Sequence, residues 1–347
     1  MNATAIYWMG AEIRWSAVII TVGILACLCM TMALYRGRGH GGAAVWMLLP
    51  LGFILGLFLG RLLHWYFNTE LYGSFARAFT DFSLGSYVLP GVVLGIWLAA
   101  GLEGRMGLCS RDELLDCLAP GLCLLILFTR LSAFFDNTCR SRILIESPAW
   151  QRLPFAVSTA DAAGNVVWRF ASFMTEAICM GLIFELLLWF YLQRRSTPRE
   201  PWGHTWRMFL LWFAAETVVT DSTRYDSPLM HFHIFSSLNA YSSFISFAQI
   251  FAAVTALYVV LYYTVRSIRA GGMKLWQPAA WVMFALFLYT AGYLGEYKVQ
   301  RTNMYLRCYL IQSLSCLVLA VMGYLVYLGW ERSLSRRGKK PKSEVYE

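Results

Sequence analysis

The chain has 347 residues, of which 58% are hydrophobic and 14% charged, and its net charge is +9. Soluble proteins average about 45–50% apolar and about 25% charged residues, so a water-soluble globular fold is excluded. The positive balance does not mark a nucleic-acid binder either, because the basic residues sit in short segments between apolar runs. A membrane helix needs roughly 20 mostly apolar residues to cross about 30 Å of hydrocarbon. In chain order the runs of that kind are 14–35, 45–66, 84–102, 117–136, 172–193, 207–221, 244–265, 276–296 and 308–330. They predict an all-α polytopic transmembrane bundle of about nine spans.

The first run lies between Arg14 and a basic patch at Arg36 and Arg38. A cleavable signal peptide carries its charge in the opposite order, so this run is expected to remain as a span. The second run holds Gly52, Gly56 and Gly60, and the third holds Gly91 and Gly95. Four-residue spacing puts each set on one helix face, where backbones approach closely, so both ladders predict tight helix crossings. The sixth run is short and contains Glu216. Orientation follows the lysines and arginines of the short loops. With the N-terminus outside, Arg36/Arg38, Arg105/Arg111, Arg194–Arg207 and Arg266–Lys274 all fall inside, together with the basic tail 331–347.

Two longer segments then lie outside, 137–171 and 220–243. In the first, LPFAVST and VVWRF flank a cluster of Asp, Gly and Asn, which predicts a β-hairpin in a small outer head. The nine cysteines form no disulfide framework, since eight lie in or beside apolar runs and only Cys139 falls in an outer segment. Buried free thiols are the expectation. No internal repeat, phosphate loop or nucleophile elbow is present.

Charge inside a membrane faces a partner or a wet cavity, which makes the few polar residues in these runs informative. Arg61 ends the second span, Arg130 follows the apolar run Leu122–Phe128, Glu176 opens the fifth, Glu216 lies in the sixth and Gln249 in the seventh. Asp221, Arg224, Asp226, His231 and His233 lie just outside. One reading is a structural ion-pair network, such as Arg130 with Glu216. The other is a cavity near the outer leaflet whose arginines hold an anionic lipid phosphate, for which the bidentate guanidinium is suited. His231 and His233 share one face of an extended segment. They read as a surface pair or as a general base; no third or fourth ligand accompanies them, so no metal is expected. No cofactor is indicated.

Several strings, in order over about residues 10–265, resemble the prolipoprotein diacylglyceryl transferase family. Glu12–Trp15 is similar to the family's "IRWYG" start, and Gly60–Leu63 to "GARLGY". LDCLAPG at 115–121 is similar to "LDLIAPALPLG". TRLSAFFD at 129–136 stands where "GRIGNFING" would be. LPFAV at 153–157 resembles "PWAVVF", ASFMTEA at 171–177 resembles "PSQLYEA", Glu216 falls at the glutamate of "RFxVExFR", and SFAQI at 246–250 resembles "SMGQIL". The resemblance implies a seven-span bundle over 1–265 and a multi-pass protein of the bacterial plasma membrane; the apolar runs over 266–330 add two helices with no counterpart in that family fold. The family moves a diacylglyceryl group from phosphatidylglycerol to the thiol of a lipobox cysteine in a secreted preprotein, forming a thioether as glycerol phosphate leaves.

Carried over position by position, Arg61, Arg130, Glu176, Glu216 and Gln249 match. The resemblance implies phosphate binding by Arg61 and Arg130, a catalytic role for Glu216, and support from Glu176 and Gln249. Other family positions differ. The "HGG" histidine is Pro90, the signature asparagine and glutamate are Ala133 and Thr138, and the two arginines of "RFxVExFR" are Trp212 and Val219. Two readings follow. In one, a divergent transferase uses Arg61, Arg130 and Arg224 on the phosphate, with His231 or His233 as substitute base. In the other, an inactive relative binds anionic lipid or lipoprotein precursor. A secondary transporter is a third reading, against which stands the lack of broken helices and inverted repeats.

Overall fold

The computed structural model describes residues 4–8, 11–81, 87–136, 138–141, 143–160, 164–195, 202–224, 246–269, 276–294 and 304–337. His231, His233 and Asp226 lie outside the described residues. The chain forms two compact units: Met1–Phe209 with Thr220–Ala248, and Leu210–Val219 with Gln249–Glu347.

The first unit opens on a short antiparallel pair, β1 (Thr4–Trp8) and β2 (Ala11–Arg14), tied by a hydrogen bond from the Thr4 hydroxyl to the Glu12 carboxylate. It continues with α1 (Trp15–Arg36), α2 (Ala43–Phe67), the short α3 (Thr69–Tyr72) and α4 (Phe75–Thr80), α5 (Leu89–Arg105) and α6 (Arg111–Asp136). After α7 (Pro148–Gln151) come β3 (Ala156–Ala160), β4 (Val166–Phe170) and α8 (Ser172–Arg195). The helix α9 (His204–Thr223) begins in this unit and passes through the second. The second unit also holds α10 (Phe247–Arg269, whose first two residues belong to the first unit), α11 (Trp276–Gly292) and α12 (Tyr305–Arg337).

Each apolar run is helical over most of its length among the described residues, as hydrocarbon demands of a main chain that finds no water there. Among the described residues, six helices are long and apolar enough to cross a membrane: Trp15–Arg36, Ala43–Phe67, Arg111–Asp136, Ser172–Arg194, Phe247–Arg269 and Leu306–Arg332. The protein is therefore a multi-pass membrane protein, although fewer helices meet both requirements than the nine runs suggest. The helices α5 and α11 have 17 residues each, about 26 Å at ~1.5 Å per residue, which is short of the ~30 Å core. The helix α9 is long enough but carries Arg207, Glu216 and Asp221.

The glycine ladders meet each other. A Cβ on Gly95 would lie 2.5 Å from the Gly56 backbone, and one on Gly91 would lie 2.7 Å from the Leu59 carbonyl oxygen. The helices α2 and α5 thus touch backbone to backbone, and the Val88 N–H donates across the crossing to the Gly60 carbonyl at 3.1 Å. The helix α6 packs against α1 on one side and α8 on another.

The strands β3 and β4 pair antiparallel, with Val157 opposite Arg169. Ser141 and residues 143–145 run beside β4: the Ser141 N–H donates to Phe170 and the Ile145 N–H to Trp168. Beneath them Ala133, Cys139, Val157, Ala171 and Phe173 form a small core that joins the end of α6 to the start of α8. The first N–H groups of a helix have no partner within it. Here Phe173 donates to the Cys139 carbonyl, so the head supplies part of the α8 cap.

In the second unit the Val218 carbonyl accepts from the Gln249 and Gln312 amides at 3.5 and 3.3 Å. Tyr263, Tyr327 and Trp330 form an aromatic cluster. Leu211 fills the space above Gly323, where a Cβ would meet its side chain at 2.6 Å.

Candidate functional site

An apolar cavity of about 370 Å³ opens among α1, α2, α5 and α6. Its walls include Leu48, Phe53, Ile96, Leu122 and Ile126, and toward the C-terminal part of α6 they include Tyr87, Thr129 and Arg130. The glycines of α2 leave room for it, since Gly52 and Gly56 are part of the wall. The space is long and apolar, with the Arg130 guanidinium at one end.

Arg130 forms an ion pair through Nε with the Glu176 carboxylate, which is 2% exposed. Its Nη1 also lies 3.6 Å from the Cys139 sulfur. Cys139 takes a left-handed backbone conformation, φ 54°, which is uncommon for a residue with a side chain. That bend puts its thiol against the guanidinium and its carbonyl on the first turn of α8. The pair therefore joins α6 to α8 at the rim of the cavity.

Arg224 ends α9 and forms a β-bridge with Ser141, two residues beyond Cys139. Its guanidinium lies 3.8 Å from Asp221, whose carboxylate accepts from the Ser246 hydroxyl. The Ser172 and Thr223 hydroxyls share a hydrogen bond of 2.8 Å that ties the start of α8 to the end of α9. In the adjoining head, Arg140 donates to the Ser158 carbonyl and Arg169 to the Ser141 carbonyl. Burial, and then the Arg169 charge, lower the proton affinity of Arg140.

Arg61 is 2% exposed, and its Nε and Nη2 each donate at 2.7 Å to main-chain carbonyls, those of Ala78 and Asp81. Its guanidinium also sits over the Tyr72 and Tyr87 rings at 5.0 and 5.5 Å. Burial pushes the Tyr72 phenol above its ordinary pKa, and its hydroxyl shares a proton with His64 Nδ1 at 2.7 Å. Arg61 thus reaches the cavity through Tyr87, which lines the wall, rather than directly.

The expected residues are therefore distributed. Arg130 and Glu176 meet. Arg224 joins them through the 139–141 segment, and Arg61 joins them through Tyr87. Glu216 and Gln249 belong to the second unit, where the Gln249 amide bonds Val218. His231 and His233 lie outside the described residues. Tyr87, Thr129 and Cys139 belong to the site and were not selected from the sequence. Thr129 adjoins Arg130 and could have been read from that position, whereas the contact of Cys139 depends on a backbone bend with no signature.

The family profile of prolipoprotein diacylglyceryl transferase matches residues 3–265. No curated protein matches the chain. The matched span takes in β1 through most of α10, including Arg61, Arg130, Glu176, Glu216, Arg224 and Gln249. By that match this chain belongs to the prolipoprotein diacylglyceryl transferase family.

Proposed function

We propose that the protein is a divergent transferase that moves diacylglyceryl from phosphatidylglycerol to a lipobox cysteine thiol during lipoprotein maturation. The observation that carries this reading is the apolar cavity ending on Arg130. An acyl chain occupies the cavity and the phosphate meets the guanidinium, with Glu176 fixing its orientation. Arg224 and Arg61, both bonded within the chain, add positive charge to the neighbourhood. The preprotein thiolate attacks the glycerol carbon that bears the phosphate. A C–S bond forms, the C–O bond breaks, and glycerol phosphate leaves with the electron pair. The thiol proton passes to a base, assigned to His231 or His233 with Glu216, since the thiolate is the nucleophile. Fixed cations near the departing phosphate lower the barrier because its charge grows in the transition state.

The inner loops are basic, so the head faces outward and the C-terminus lies in the cytoplasm of a bacterial plasma membrane. A reporter active only in the cytoplasm, fused after residue 347, would fluoresce; a dark fusion with an active N-terminal one would reverse the orientation.

A second reading is favoured by Pro90, Ala133 and Thr138, where the family pattern has histidine, asparagine and glutamate. In it the cavity retains anionic lipid or lipoprotein precursor without transfer. Purified protein given phosphatidylglycerol and a lipobox peptide separates the two. Transfer adds one diacylglyceryl mass to the peptide, and the His231→Gln/His233→Gln variant removes that product. An unmodified peptide alongside an active family member would leave only the binding role.

A further inference from the structure

A second amphiphile-shaped space lies at the opposite end of α5. A groove of about 590 Å³ runs from Leu55 of α2 along Trp97, Leu98 and Leu102 to Arg105 and Arg111 at the turn into α6. Ligand pockets commonly measure about 300–1,000 Å³. From Trp97 to Arg105 the wall extends about 12 Å at ~1.5 Å per helical residue. Its long side is apolar and exposed, its far end carries two guanidinium groups, and among the described residues no acidic residue lines it. Arg111 is partly neutralised, since Nε and Nη2 both donate to Asp112 at 3.1 and 3.0 Å. Arg105 is exposed and, among the described residues, makes no ion pair.

We propose that this groove is a binding site for one anionic phospholipid of the leaflet on the Arg105 side, separate from the Arg130 cavity. The proposal rests on the membrane placement above but not on the transfer reaction. Charge complementarity selects the occupant: the phosphate sits between Arg105 and Arg111, and an acyl chain lies along Trp97, Leu98 and Leu102. Basic pockets between membrane helices on the cytoplasmic side take anionic headgroups in this way. A free anion would use the arginines but leave the apolar wall without a role. The shortness of α5 supports the same occupant. With 17 residues the helix falls short of the hydrocarbon thickness, so its basic end draws a headgroup inward. Trp97 lies under the Arg111 guanidinium at 5.5 Å from its ring centre, which leaves one face of that cation for the phosphate.

The test is a count of lipids retained by the full-length protein. The protein is placed in phosphatidylcholine nanodiscs with added phosphatidylglycerol and analysed by native mass spectrometry. Wild type retains two phosphatidylglycerol molecules. Arg105→Gln removes a cation that makes no ion pair among the described residues, and Gly101→Leu places a side chain in the groove beside Arg111, whose Cδ would lie 3.8 Å from the new Cβ. Each variant retains one. Arg130→Gln loses the other lipid, and Arg105→Gln/Arg130→Gln retains none. If Arg105→Gln and Gly101→Leu both keep the wild-type count, the groove is no site. If Arg130→Gln keeps that count while Arg105→Gln loses one, the cavity reading fails and this one stands.

Discussion

At the scale of the residue, the site turns on one buried pair. Glu176 is nearly inaccessible and Arg130 largely so, and a buried charge deprived of its partner costs about 3–5 kcal/mol. Glu176→Gln should therefore lower the melting temperature in zwitterionic detergent. Anionic lipid supplies a second counter-charge to Arg130, so phosphatidylglycerol should restore more of the lost stability in the variant than it adds to wild type. Equal shifts in both, read by thermal unfolding with and without the lipid, would place the phosphate elsewhere. The partner itself was not legible. Glu176 and Glu216 are both acids in apolar runs, and sequence distance does not say which helix faces Arg130. Cys139 is the opposite case: it was legible as the cysteine of an outer segment, but its contact follows from a positive φ that residue type disfavours.

At the scale of the element, the clearest agreement is the crossing of α2 and α5. Four-residue glycine spacing predicts close approach on one face, and the structure sets each ladder on the other. Gly95→Ala would push a methyl carbon to 2.5 Å from the Gly56 backbone, where only separation of the helices relieves the clash. Overpacking costs typically about 1–3 kcal/mol. Gly52→Ala, whose new methyl would sit 3.7 Å from Ile96, should be nearly neutral. Melting temperatures that fall equally in both variants would mean that the crossing is not rigid. The start of α9 shows the reverse. Its first N–H groups find acceptors outside the helix, because the Asp116 carboxylate of α6 accepts from Gly203 and Trp206 at 2.7 and 2.9 Å. An anion at a helix N-terminus is favoured by the unpaired N–H groups and the helix dipole. Nothing in the LDCLAPG string announces that role.

At the scale of the molecule, α12 packs on the part of α9 that shares its unit. Gln312 of α12 is fully buried and its amide bonds Val218 of α9. Trp212, which stands at a family arginine position, packs on Tyr324 of α12 with ring centres 6.2 Å apart. A protein ending at residue 269 would expose those partners to lipid and leave the Val218 carbonyl with one fewer donor. It should lose most of its monodisperse yield on size-exclusion chromatography. Wild-type yield and melting temperature would instead make 270–347 dispensable for folding.

What the sequence determined by itself was the solvent, the elements and the family. Apolar length, loop charge and small-residue spacing are local properties, and transfer from water to hydrocarbon acts on each segment separately. Only the tertiary structure decided which acid meets Arg130, that Arg61 holds main-chain carbonyls, and that the space beside Arg130 is a cavity. Those outcomes depend on helix rotation and neighbour choice, which are fixed by packing between segments far apart in the chain.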